Sequence, residues 1–419
     1  MKNKLYHGKI FYGWYIVAAG LIIMSVGWGI VFNTASLFIE PVGNDLGLSR
    51  QGINTTLTIR SLCQLIVYFF SGILYSKVKI KSLMKIASIT LPISFFLHSY
   101  AESQAMLYLL TAISGVSIVL VGTLPISIIL NNWFHERKGF VIGLALMGSG
   151  IGGMLFNFLT GIWIVNFGWR ITYQILAIIL FVTLIPCVFL IIKIHPSEVG
   201  LTPLGESIDN GLDNSKEKVV IESGVMLSEA VKTTTFWGIC LCTTFSSIAG
   251  VSLMTSIPPH LSNIGYSTTI SANITALSMG SLAVGKLLLG YLFDRFGLRK
   301  ATFISCLCIV VGCISMIYAL NYIALILLVV CVGLGCSFLT VAYPIITQNV
   351  FGQKDYNAIF GVLSAAHSLG GMIAPIIIGY IYDIVGSYNP SFMIMTVLGI
   401  FATVVFQFVF PKEDKSVTS

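Results

Sequence analysis

Charge is what this chain has least of. Only 9% of its 419 residues are Asp, Glu, Lys or Arg, where a soluble domain carries roughly 25%. Together with 56% hydrophobic residues and a mean hydropathy of +0.93, this scarcity excludes a water-soluble globule. Acids are rarer still within the apolar stretches. No Asp or Glu lies well inside one, whereas two cations, Lys286 and Arg60, do. A charge at the bilayer centre costs on the order of 2.5–3.5 kcal/mol, so buried cations without a buried acid ask for an anion from elsewhere. The nine Cys all fall inside apolar runs and none stands at a zinc-ligand spacing from His, which argues against a disulfide framework and a metal centre. No Ser/His/Asp set and no pair of membrane carboxylates presents itself, so the chain does not read as an enzyme, and nothing in it calls for a cofactor.

What the chain has in place of charge is twelve apolar runs, at about 12–39, 52–75, 82–100, 105–130, 139–163, 170–193, 235–259, 269–293, 301–319, 322–345, 357–382 and 389–410. Each is long enough to cross a hydrocarbon core of ~30 Å, and an isolated segment satisfies its backbone there only as a helix. The first run is too long for a signal-peptide core and no small-residue cleavage site follows it, so it reads as a span. The expected fold is therefore an all-α membrane protein of twelve transmembrane helices. Nineteen of the 23 Lys and Arg fall on one side of it, among them Lys2, Lys4, Lys9, Lys216, Lys218, Lys412 and Lys415, and only Arg50 and Arg170 on the other. That bias places both termini in the cytoplasm. It also accounts for the net charge of +7 without invoking nucleic acid.

A hydrophilic stretch at 194–234 divides the runs into an N-terminal bundle, 1–193, and a C-terminal bundle, 235–419. The halves repeat at an offset of 218 residues, which pairs Pro41 with Pro259, Gly47 with Gly265, Ser49 with Ser267 and Gly72 with Gly290. The same offset pairs Gly143 with Gly361, Gly152–Gly153 with Gly370–Gly371, Gly161 with Gly379 and Gly168 with Gly386. A six-plus-six parallel repeat is the layout of major facilitator transporters. The loop after the eighth run agrees. It reads Gly290-Tyr-Leu-Phe-Asp294-Arg295-Phe-Gly297-Leu-Arg299-Lys300 and resembles the loop motif G-x-x-x-D-R-x-G-R-R of that superfamily. In the equivalent first-half loop Ser76 stands where the acid is usual.

Three further segments narrow the resemblance: Phe11-Tyr12-Gly13-Trp14 before the first span, Trp133-Phe134-His135-Glu136-Arg137-Lys138-Gly139 between the fourth and fifth, and His195-Pro196 through Gly200-Leu201-Thr202-Pro203 after the sixth. With them the chain resembles the bacterial monocarboxylate transporter and oxalate:formate antiporter branch. The resemblance implies alternating access of the two bundles around a midplane site, working as proton symport or anion exchange in a bacterial plasma membrane. The partners it implies are a small organic anion, protons or a counter-transported anion, and the bilayer, with the monomer as the working unit. It also implies substrate contact at Lys286, where the branch usually carries Arg, and at His367, where the antiporters carry Lys. Trp28, Phe32, Asn33 and Tyr343 would line an aromatic-walled cavity. Lysine lacks the planar fork of arginine, and histidine titrates near neutrality, so the pair favours a monoanion over a dicarboxylate. Eukaryotic monocarboxylate carriers place an Asp one turn before the span 8 cation. Here that position is Leu282, so their proton relay does not transfer.

Competing readings stand beside these. Lys286 can snorkel toward the cytoplasm; Arg60, a substrate-binding candidate expected to attract the anion from the outside, can instead snorkel outward or clamp helices; and His367, in Ala365-Ala366-His367-Ser368, can serve helix packing alone. His98 and His260 are expected near outer span ends, facing the interface. Gly148-Ser149-Gly150-Ile151-Gly152-Gly153 satisfies a dinucleotide-loop pattern but lies within a span, where tight helix packing explains it. Export of drugs or another anion, or a sensor derived from a transporter, would use the same architecture.

Overall fold

A computed structural model describes residues 11–205 and 224–410. Lys2, Lys4, Lys9, Lys216, Lys218, Lys412 and Lys415 of the charge argument lie outside the described residues, as does the middle of the 194–234 stretch. The described chain is helical nearly throughout. Helix α1 is Tyr12–Asp45, α2 is Arg50–Phe69 continuing as Ser71–Lys77 after a 58° bend, α3 is Ile80–His98 and α4 is Gln104–Trp133. A 54-residue segment, Lys138–Ile191, follows. At 1.5 Å per residue it is far too long for one crossing of ~30 Å. Gly168, at φ 78° and ψ 167°, breaks it into α5 (138–167) and α6 (169–191). That conformation is open essentially to glycine alone.

The second half repeats the arrangement. Helix α7 is Thr234–Asn263; Thr268–Ile317 breaks at Gly297 (φ 76°, ψ 176°) into α8 (268–296) and α9 (298–317); and α10, α11 and α12 are Tyr322–Phe351, Tyr356–Val385 and Asn389–Val409. Counted at the two glycine breaks, the described residues form the twelve helices expected. The chain divides into two compact units. One holds residues 1–63 and 73–224, the other Gln64–Gly72 with Val225–Ser419.

The 218-residue offset has conformational content. Gly47 and Gly265 both take positive φ (62° and 100°), and so do Gly168 and Gly386 (78° and 71°). Ser49 accepts a hydrogen bond from the amide three residues on, Gly52, at 3.1 Å, and Ser267 does the same for Ile270 at 3.4 Å. Each caps a helix start, satisfying one of the amides the helix leaves open.

Within each unit the fifth helix packs backbone to backbone on the first at the paired glycines. A Cβ at Gly152 of α5 would collide with the Ser25 carbonyl of α1. One at Gly370 of α11 would lie 2.5 Å from the Thr244 carbonyl and 2.7 Å from Ser247 Cβ, both on α7. One at Gly153 would meet Asn33, and one at Gly371 would meet Val251, itself 218 residues beyond Asn33. Small residues that let helices touch are what stabilises packing in lipid, where the hydrophobic effect between helices is lost.

Candidate functional site

The second unit gathers most of the expected residues. Lys286 lies on α8 and is 3% exposed, so its ammonium does not snorkel to a surface. Its neighbour Gly285 explains the depth. A Cβ at Gly285 would run into the Gly333 carbonyl of α10, and Ser337 Oγ of α10 donates to the Leu282 carbonyl of α8 at 3.3 Å. The two backbones touch there, and the thiol of Cys336 on α10 is an electrostatic neighbour of Lys286.

His367 on α11 reaches the same helix further along. Its Nδ1 meets the Ser247 hydroxyl of α7 at very close range and the Tyr343 hydroxyl of α10 at 3.5 Å, and the Tyr343 and His367 rings lie 5.3 Å apart. Cys336 and Tyr343 are seven residues apart on α10, which is two turns, about 10 Å along one face. One face of α10 therefore packs against α8 beside Lys286 at one end and meets the His367 group at the other.

The first unit holds the remaining candidates separately. Arg60 on α2 is 8% exposed, donates from Nη1 to the Val31 carbonyl at 2.5 Å and keeps a buried Nε without a partner among the described residues. Its acceptor lies in the widened, π-helical stretch Met24–Asn33 of α1, a backbone form often found at functional sites. The electrostatic neighbours of Arg60 are Tyr173 of α6 and His98 of α3, whose rings stack at 5.0 Å. Trp28 and Asn33 belong to the same stretch of α1. Asn33 Nδ2 donates to the Ser149 carbonyl at 3.1 Å, tying α1 to α5. Trp28 packs on Phe32 at 4.9 Å, with its indole N–H buried against Gly122 of α4 and without a partner among the described residues.

Two expectations are corrected. His98 and His260 are buried at 3% and 1% exposure rather than lying at the interface. His98 Nδ1 pairs with the Ser94 carbonyl at 2.7 Å, and His260 Nε2 with the Met316 carbonyl at 2.8 Å. Each partner satisfies one ring nitrogen that burial would otherwise leave costly, while His260 Nδ1 stays buried without a partner among the described residues.

The loop motif is structural where it can be followed. Gly297 makes the break between α8 and α9, Gly290 is buried and Asp294 exposed. Arg295 lies beside the Tyr291 hydroxyl, and Arg299 donates to the Gln407 carbonyl of α12, whose side chain returns a bond to the Arg299 carbonyl at 3.1 Å. Sequence reasoning missed Ser247. It lies in a run of small residues with no charge or spacing to mark it, and only the fold brings it to His367.

Twelve helices in a doubled arrangement, with buried cations on the second and eighth, can be compared with known proteins. The sequence pattern of the Major Facilitator Superfamily matches residues 17–320 and 239–418. The chain belongs to the Major Facilitator Superfamily. It is 22% identical over 364 residues to the uncharacterized MFS-type transporter YhjX of Escherichia coli, covering 85% of this chain and 86% of that one. It is 23% identical over 427 residues to monocarboxylate transporter 12 of Rattus norvegicus, covering 95% and 85%. The crystal structure of the Major Facilitator Superfamily transporter FucP in its outward conformation superposes with a TM-score of 0.70 at 15% identity, covering 95% of this chain and all of that one. At that identity the likeness shows the fold alone. As a Major Facilitator Superfamily member the chain is a multi-pass membrane transporter of small molecules and not an enzyme.

Proposed function

We propose that this transporter moves a small organic monocarboxylate, lactate-, pyruvate- or formate-like, across a bacterial plasma membrane by alternating access, as proton symport or anion exchange. In this reading residues 1–193 and 235–419 are the two bundles, 194–234 is their cytoplasmic linker, both termini face the cytoplasm, and the monomer suffices. The observation that supports it most is that α10 packs on α8 beside the buried Lys286 and, two turns on, meets the His367 group. A carboxylate needs one cation and hydrogen-bond donors for its oxygens, and a buried cation is expensive unless an anion joins it. A single fixed cation there suits one negative charge. Similarity to monocarboxylate transporter 12 of Rattus norvegicus points to the same substrate class, as does the resemblance to the monocarboxylate and oxalate:formate branch.

Lys286→Gln removes the charge and keeps a polar side chain one atom shorter. It is expected to weaken pyruvate or lactate uptake into proteoliposomes by on the order of 10- to 100-fold, the worth of one charge-assisted hydrogen bond, while the protein still inserts and purifies. Normal uptake by Lys286→Gln would sink the assignment of the site. Failure of small carboxylates to shift the melting temperature of the wild-type carrier would sink the substrate class.

A further inference from the structure

Two hydroxyls meet one ring nitrogen in the group of Ser247, Tyr343 and His367, and a count of protons decides the state of the imidazole. Ser247 Oγ and the Tyr343 hydroxyl both face His367 Nδ1. Ser247 is 0% and Tyr343 2% exposed, and neither hydroxyl has another acceptor among the described residues. Helix packing holds the group in place. Gly370, three residues beyond His367 on α11, lets Ser247 Cβ approach to where a larger residue would put its own side chain.

Two hydroxyl protons must each find an acceptor, because a buried donor left unmade costs about 1–3 kcal/mol. If Nδ1 carries no proton, its one lone pair accepts from Ser247 or Tyr343 and a hydroxyl proton is placed. If Nδ1 carries a proton, that nitrogen becomes a third donor, and neither hydroxyl finds an acceptor on the ring. The same count applies to the doubly protonated ring.

We propose that Ser247 and Tyr343 are positioning residues that hold His367 as the neutral tautomer with its proton on Nε2. Nε2 has no partner among the described residues, and the ring is only half-buried. It offers an incoming ligand one N–H donor without adding a charge. Resting on the carboxylate reading for the identity of the ligand, this makes Lys286 the one cation of the second unit's site. His367 then selects for an oxygen acceptor and not for a second negative charge.

The experiment is nitrogen-15 NMR of the purified, ligand-free full-length carrier labelled at histidine, with His367→Gln identifying the signal. A bare Nδ1 and a protonated Nε2 at neutral pH are expected for His367. Ser247→Ala and Tyr343→Phe singly are expected to preserve that tautomer, since either hydroxyl alone can donate to Nδ1, and the double variant to mix the two tautomers. In pyruvate binding, His367→Gln, whose amide nitrogen reaches the Nε2 position and cannot become a cation, is expected to stay within about threefold of wild type, while His367→Ala loses roughly tenfold. A proton on Nδ1 in the wild-type carrier, or a Gln variant as weak as the Ala variant, would overturn the proposal. The tautomer is read without ligand. The expected spectrum with no binding of small carboxylates would therefore reject the substrate class and leave the tautomer standing.

Discussion

At the residue scale, the two cations inside the apolar runs are separated by what each one touches. Lys286 sits where α8 and α10 meet through Gly285 and Gly333, whereas Arg60 spends one N–H on a backbone carbonyl and leaves Nε unsatisfied. A buried guanidinium with no carboxylate beside it among the described residues is a poor structural clamp. We propose that Arg60 attracts the anion from the outside and is retained for that role at a cost in stability. Arg60→Met is therefore expected to leave the melting temperature unchanged or raise it, stabilising by up to about 1–4 kcal/mol as apolar replacements of buried charges often do. It is also expected to raise the KM for uptake more than it lowers turnover. A fall in melting temperature and in folded yield, with KM unchanged, would make Arg60 a clamp after all. The sequence made both cations conspicuous because charge is so scarce in it. It could not make Ser247 conspicuous, since a serine among small residues carries no signal until α7 and α11 are packed. His98 and His260 were misplaced for a related reason: position near the end of an apolar run says nothing about which face a side chain occupies.

At the element scale, the twelve helices were legible because lipid allows little else and because the offset doubles every signal. What the apolar runs could not reveal is that α1 widens over Met24–Asn33, or that Gly168 and Gly297 each end one helix and begin another without an intervening loop. Those are backbone events, invisible to hydropathy. The paired glycines make the repeat testable as mechanics. Gly152 and Gly370 face backbone atoms of the partner helix, whereas a methyl group added at Gly161 or Gly379 would meet no atom within 4 Å. Gly152→Val and Gly370→Val are expected to destabilise by at least about 1–3 kcal/mol, the cost of overpacking a tight contact. Gly161→Ala and Gly379→Ala lie in open helix interiors and are expected to stabilise by up to about 1 kcal/mol. Melting curves of the purified variants check this. Opposite effects from the two members of either pair would mean that the shared offset does not carry shared packing.

At the scale of the whole molecule, the scarcity of charge has an energetic consequence for turnover. Conformational change in a carrier carries every buried group with it, and an empty site takes Lys286 through that change with its charge uncompensated by substrate. A bound monocarboxylate neutralises the ammonium. The loaded transporter then changes state at lower cost than the empty one, because a buried charge is cheaper with a counter-charge beside it. His367, held neutral by Ser247 and Tyr343, adds no second charge to this balance. The expected outcome is trans-stimulation: proteoliposomes preloaded with unlabelled pyruvate should take up labelled pyruvate several-fold faster than empty ones. The stimulation should shrink in Lys286→Gln, whose empty site has no charge to compensate. If preloading leaves the initial rate unchanged in the wild-type carrier, the return of the empty transporter is not the slow step. A proton released from Lys286 would then be the remaining means of making the empty state cheap, and uptake should instead follow an imposed pH gradient.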